Sequence, residues 1–259
     1  FILSICFSIL AYPVSGTPFL DLHSAYLSLI AFYLIIAFVK NDDYLKLFAA
    51  IIMLGLAFFC KQVPAAYFII SAFLFIVYYS FYIRSIKPII ISLSAFFSFL
   101  GIILIYLFFT RTSLLDLIMQ LFIFPTSFGA ERYNDYTLNL NNVFLDFKFI
   151  FLTILVMSGI FIINLVKKNL ENKKKEISYY IILITFSLLL IFHQIYTKNQ
   201  IFIFFIIPIL SGFLLYFLRN NKNKYKKYFT TLIILFCIII TFKYHVRFNE
   251  MRKFHELSN

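Results

Sequence analysis

Asp21 and His23 stand two residues apart in the segment PFLDLHSAY, which runs straight into an uncharged apolar stretch from Leu27 to Val39. A carboxylate beside an imidazole is equipment for general acid–base catalysis. At the mouth of a membrane span it is also expensive. An acid costs about 2.5–3.5 kcal/mol at the centre of a membrane helix, and less near the interface. The plain explanation is capping: an aspartate at the N-terminus of a helix over Leu22–Val39 satisfies free amide N–H groups and suits the helix dipole. The chemical explanation is a carboxylate held at the outer membrane face for proton or cation work. The two are compatible, because a cap also fixes the side chain's rotamer.

Three other stretches carry residues of the same kind. In GLAFFCKQVPAAY, Lys61 and Gln62 separate two apolar segments. The lysine can snorkel to the headgroups, or it can pair with a phosphate at the lipid–water boundary. Pro64 favours the second reading, since a broken helix leaves backbone groups free beside the charge. The long loop Thr110–Asp146 contains Leu114–Phe124, with Asp116 and Gln120 four residues apart on one face and apolar residues elsewhere. That pattern predicts an amphipathic helix lying on the outer leaflet. Next, PTSFGAERYNDY brings Arg132. It is either part of a surface loop or a guanidinium suited to bidentate phosphate binding. The last stretch, HQIYTKNQIFIFFIIP, holds His193, Gln194, Lys198, Asn199 and Gln200 between two spans. A tight hairpin needs polar turn residues, but His193 and Gln194 fall inside the apolar pattern rather than in the turn.

What must position these residues is a membrane domain. The chain of 259 residues is 63% hydrophobic, 21% aromatic and 13% charged, with a mean hydropathy of +0.94. A soluble fold shows water a large polar exterior and cannot hide this much apolar surface. A span needs about 20 apolar residues. Nine segments qualify by length and composition: Phe1–Tyr12, Leu20–Val39, Leu45–Cys60, Ala65–Ile83, Pro88–Phe109, Phe147–Val166, Ser178–Tyr196, Ile201–Leu218 and Phe229–Lys243. The break at Pro64 also allows Leu45–Ile83 to be a pair of half-helices. The expected fold is an all-α polytopic transmembrane helix bundle of about nine spans, a single domain over residues 1–259, with an interfacial helix on the outer leaflet. The first residue is Phe1 and the first segment is already apolar, so the chain is expected to be a fragment that starts inside a membrane helix. A cleaved leader is the rival explanation, but it needs a basic start and a small-residue cleavage site, and neither is visible.

Alternating the spans sorts the loops into two sets. One set, holding Lys40/Lys46, Arg84/Lys87, Lys167–Glu176 and Arg219–Lys227, carries 14 of the 23 Lys and Arg residues. Excess Lys and Arg marks the cytoplasmic side. Asp21, His23, Lys61, Gln62, Arg132, His193, Lys198 and Gln200 then all fall on the outer side. The net charge of +12 is spread through short loops, a topology signal rather than a nucleic-acid footprint. Cys6, Cys60 and Cys237 lie far apart in apolar runs, which is neither a disulfide framework nor a zinc pattern. They read as small buried hydrophobes. No Walker loop or Gly-rich nucleotide cradle is present, so a nucleotide-driven pump is disfavoured.

With these residues in view, the chain resembles the integral-membrane glycosyltransferases of the C-type superfamily, including its protein-mannosyltransferase-like and bacterial aminoarabinose-transferase-like branches. PFLDLHSAYLSLIAFYLII is similar to that group's second acidic motif, matching at Asp21. LGLAFFCKQVPAAYF is similar to its Gly-Leu-Ala…Lys segment, matching at Lys61. TKNQIFIFFIIPIL is similar to the late helix whose outer end approaches the carrier phosphate, and suggests Lys198. The family's first acidic motif, which follows the first helix, has no counterpart in this sequence.

The resemblance implies a sugar donor on a polyprenyl phosphate and a lipid, glycan or protein acceptor. Asp21 and His23 would be catalytic, and Lys61, Gln62, Arg132, His193, Lys198 and Gln200 would bind substrate. It implies no obligatory cofactor and leaves a divalent cation open. A bacterial inner membrane is the implied location. An O-antigen polymerase or ligase uses the same carriers and remains an alternative. So does a flippase or other transporter, although transporters favour ionisable residues at mid-span and internal repeats.

Overall fold

The computed structural model describes residues 1–11, 20–126, 140–167, 170–197, 203–219 and 226–252. Among these residues the chain is helical, with no strand. In hydrocarbon every backbone N–H and C=O must find a partner within its own segment, and a helix achieves this. The helices are α1 (Ile2–Ala11), α2 (Leu20–Asn41), α3 (Tyr44–Cys60), α4 (Gln62–Ile83), α5 (Lys87–Thr110), α6 (Leu114–Ile118), α7 (Leu140–Asp146), α8 (Lys148–Lys167), α9 (Leu170–Thr197), α10 (Ile206–Arg219) and α11 (Lys226–Arg252). Six of them, α2, α4, α5, α8, α9 and α11, are long and apolar enough to cross a membrane. The helices α1, α3 and α10 are shorter and also apolar. The protein is a multi-pass, all-α membrane protein.

Each of the nine sequence segments coincides with a helix, with shifted ends. The helix expected over Ile201–Leu218 begins at Ile206, and the one expected over Phe229–Lys243 runs on to Arg252. The break expected near Pro64 falls at Lys61–Val63. Lys61 is extended (φ −160°, ψ 127°) and so is Val63 (φ −114°, ψ 122°), which separates α3 from α4. Polar residues set the other ends. Asp43 caps α3 by accepting from the Leu45 amide at 3.1 Å. Pro88 sits in the first turn of α5, where its missing N–H costs nothing. Arg84 and Arg111 close α4 and α5 in the left-handed region, a position that glycine more often fills.

The chain divides into two compact units, residues 1–22 with 140–259, and residues 23–139. In the first unit, α1 packs on α10 and α11, and α10 packs on α8. The fully buried Phe205, Phe217, Leu210, Ile150 and Met157 fill this core. Asn164 of α8 donates from Nδ2 to the Phe217 carbonyl at 2.6 Å. Tyr180 of α9 stacks on Phe161 at 4.2 Å and shares a 2.6 Å hydrogen bond with Ser158.

In the second unit, α3 packs against both α4 and α5. The approach of α3 to α5 needs Gly55, because a Cβ there would stand 2.6 Å from the Phe99 ring. The outer surface of α5 is lipid-like: only 17% of its span is buried, and Phe96, Phe97, Phe108 and Phe109 are exposed.

The helix expected over Leu114–Phe124 forms over Leu114–Thr126, with a π-helical turn at Met119–Ile123. None of its described residues is fully buried. It is tied down at Phe122, whose ring lies 5.8 Å from that of Phe58 on α3. Asp116 serves the helix itself: its amide donates to Ser113 Oγ at 3.0 Å, and Ser113 Oγ donates to its carboxylate at 2.6 Å.

Candidate functional site: an aspartate–histidine pair at two span ends

Asp21 lies inside the first turn of α2, which begins at Leu20. The expected helix from Leu22, with Asp21 as its cap, therefore starts earlier, and the carboxylate is part of the helix. This frees the side chain to engage a neighbour. That neighbour is His193, near the C-terminal end of α9: Nε2 lies 3.3 Å from Asp21 Oδ1. Both residues belong to the first unit. His193 is 2% exposed and Asp21 is 18% exposed, so the carboxylate is the member of the pair that a substrate can reach.

The local sequence explains the placement. Asp21 opens a run that is otherwise apolar, so it sits where the span leaves the hydrocarbon. His193 lies near the C-terminal end of the Lys173–Tyr196 span, and the next charged residue in sequence is Lys198. An imidazole buried at that depth needs a hydrogen-bonding or ionic partner, because an unsatisfied polar group there loses the full cost of its desolvation. The neighbouring Gln194 is equally buried, at 2% exposure, and its carbonyl Oε1 has no hydrogen-bond partner among the described residues. A buried acceptor thus stands next in sequence to the pair.

His23, the sequence neighbour of Asp21, is exposed. Two residues apart on a helix, side chains point about 200° apart, so Asp21 and His23 do not face one another. The structure gives Asp21 a histidine from a distant helix instead. Lys61 and Gln62 belong to the second unit, at the junction of α3 and α4. Lys61 holds that junction through its backbone: its amide donates to the Ala57 carbonyl at 3.0 Å, and its carbonyl accepts from Ser24 Oγ at 3.2 Å. Arg132, Lys198 and Gln200 lie outside the described residues.

The pairing of Asp21 with His193 could not be read from spacing, since it joins two helices remote in sequence. The available signal was two polar residues interrupting apolar runs on the same predicted side. A similar long-range contact was missed among the cysteines. Cys6 of α1 and Cys237 of α11 are both buried and close enough to influence one another electrostatically, whereas Cys60 is half-buried.

Among the described residues, no three His, Cys, Asp or Glu side chains converge where a metal ion could be held.

No family model matches the chain, and neither characterised proteins nor solved structures provide a significant match.

Proposed function

We propose that the protein is a membrane glycosyltransferase that moves a sugar from a polyprenyl-phosphate carrier to an acceptor hydroxyl, with Asp21 and His193 as its acid–base pair. The observation that carries this reading is the 3.3 Å contact between a half-buried carboxylate and a buried imidazole, each at the end of a membrane span. A lipid-linked sugar presents its reactive bond at that level, while its prenyl chain stays in hydrocarbon.

In the reaction, the acceptor oxygen forms a bond to the anomeric carbon as the bond from that carbon to the phosphate oxygen breaks. The phosphate leaves with the bonding electrons, and the acceptor proton passes to Asp21 Oδ. The imidazole of His193 holds the carboxylate in place and stabilises its charge before transfer. The family resemblance assigns cations to the leaving phosphate; Lys61 belongs to the second unit, and Arg132 and Lys198 lie outside the described residues. Bacterial inner-membrane location belongs to the same proposal.

Span-end placement of the pair favours interfacial chemistry over transport, in which ionisable groups concentrate at mid-span. The test is sugar transfer by the purified protein in liposomes loaded with polyprenyl-phosphate sugars. Asp21→Asn should abolish turnover while lipid-linked sugar still binds. If Asp21→Asn transfers sugar at the native rate, or if the protein moves the lipid across the bilayer without transferring sugar, the reading is wrong.

A further inference from the structure

A second charged feature lies in the first unit, away from Asp21 and His193. Lys148 opens the span of α8, and Lys243 sits near the end of the span of α11. Their ammonium groups lie 5.5 Å and 4.9 Å from the centre of one ring, that of Phe149. Both distances are within the reach of a cation–π contact. The two charges are therefore no farther apart than the sum of those distances. Among the described residues neither lysine forms an ion pair. Arg247 follows one turn along α11 and adds a third exposed cation. A nearby carboxylate, Asp146, is close enough to act on Tyr244 but forms no ion pair with either lysine. Two lysines that merely snorkel have no reason to converge. Like charges held on one ring repel, and a single anion between them removes that repulsion.

The surface below the lysines indicates what carries the anion. On α8, Leu152 and Leu155 follow Lys148 at spacings of four and seven residues, and both are exposed. On α11, Ile239, Leu235 and Leu232 precede Lys243 at four, eight and eleven residues, and all three are exposed. These spacings place each set on one helix face. At 1.5 Å per residue the α11 stripe is roughly 16 Å long, comparable to an acyl chain in one leaflet, half of a hydrocarbon core about 30 Å thick. Each lysine thus tops an exposed apolar track.

We propose that Lys148 and Lys243 form a binding site for the phosphodiester of an anionic phospholipid whose acyl chains lie along α8 and α11. The site is independent of the transferase reading. Its occupant is a membrane lipid rather than a substrate.

Native mass spectrometry of the detergent-solubilised protein tests this with phosphatidylglycerol, phosphatidylcholine and inorganic phosphate as probes. A lysine near an anionic lipid contributes about fivefold in affinity. Lys148→Gln and Lys243→Gln should each weaken phosphatidylglycerol binding about fivefold, and together about 25-fold. Phosphatidylcholine binding should not change, and Lys167→Gln, at the other end of α8, should leave both lipids bound as before. Should the double variant misfold, the single variants and the native protein's loss of phosphatidylglycerol with rising salt give the same reading. Equal retention of both lipids by the native protein overturns the proposal. So does a double variant that keeps phosphatidylglycerol, or displacement of the lipid by millimolar inorganic phosphate.

Discussion

Asp21 and His193 should be energetically coupled whatever reaction they serve, and the coupling can be sized from their geometry. A hydrogen bond to a charged group contributes about 1.5–3 kcal/mol. Such bonds are strongest at N···O distances of about 2.7–2.9 Å. Here the separation is 3.3 Å, the contact is an ion pair without hydrogen-bond geometry at Oδ1, and the carboxylate is 18% exposed, so the interaction falls below that energy range and water screens part of it. Measured interhelical polar contacts in a membrane average about 0.6 kcal/mol and reach about 1.7. Together these place the coupling near 1–1.5 kcal/mol. The perturbation is a double-mutant cycle with Asp21→Asn and His193→Gln, both close to isosteric. The assay is reversible unfolding in mixed micelles, followed by the loss of helical signal. Each single variant should lose roughly the coupling energy plus the cost of a stranded buried partner, about 1–3 kcal/mol. The double variant should lose less than the sum of the two. Additive losses would mean that the two side chains do not interact, and the acid–base pair would fall with them. A coupling above about 3 kcal/mol would equally refute the reasoning, since it would require a drier and shorter contact than 3.3 Å.

Other residues give sharper tests of the packing. Asn164→Leu should destabilise the first unit by about 1–2 kcal/mol, because Phe217 O lies in the last turn of α10, where carbonyls lack intrahelical partners, and Asn164 supplies one at 2.6 Å; thermal unfolding reads it, and an unchanged midpoint would count against the contact. Gly55→Leu should cost about 1–3 kcal/mol by overpacking against Phe99, and Phe99→Ala in the same chain should recover part of that loss. Ser113→Ala should remove a cap worth about 1 kcal/mol and speed amide exchange across Leu114–Thr126, with α8 and α10 unaffected.

The fold was legible because membrane helices announce themselves by length. The spans from Leu20 to Val39 and from Pro88 to Phe109 needed no periodicity to be found, and their ends moved by only a few residues. The helix over Leu114–Thr126 was legible for a different reason: Asp116 and Gln120 recur at helical spacing in an apolar segment too short to span. The function given to Asp116 was less visible, since its carboxylate is held by Ser113 three residues earlier. The site was legible only as a set of suspects. Spans apolar on all sides carry no stripe that says which face meets which neighbour, so nothing in the sequence could choose His193 over His23 as the partner of Asp21. Proximity in sequence pointed the wrong way, because residues two apart on a helix diverge. The convergence of Lys148 and Lys243 on Phe149 was hidden for the same reason.

The acids of the chain sort by what holds them. Asp43 caps α3, and Asp116 is bound into the first turn of α6. Asp42 sits in the tight left-handed turn between α2 and α3, and Asp146 closes α7. All four lie outside the six long spans, where water meets much of the cost of their charge. Asp21, like the buried Glu176 of α9, lies within the helix of a span. Capping does not require Asp21 there, since an asparagine or serine placed just before the helix would cap as well at no ionic cost. Its partner, His193, is likewise drawn into an apolar helix at almost complete burial. Replacing a buried polar pair by apolar residues of similar shape is often neutral or stabilising. Packing alone therefore gives the chain no reason to keep this pair, and two costs incurred at one place are most simply explained by work done there. The carboxylate is the more exposed member of the contact and the imidazole the buried one, which is the order that the proposed base requires, reached by substrate from outside and steadied from within.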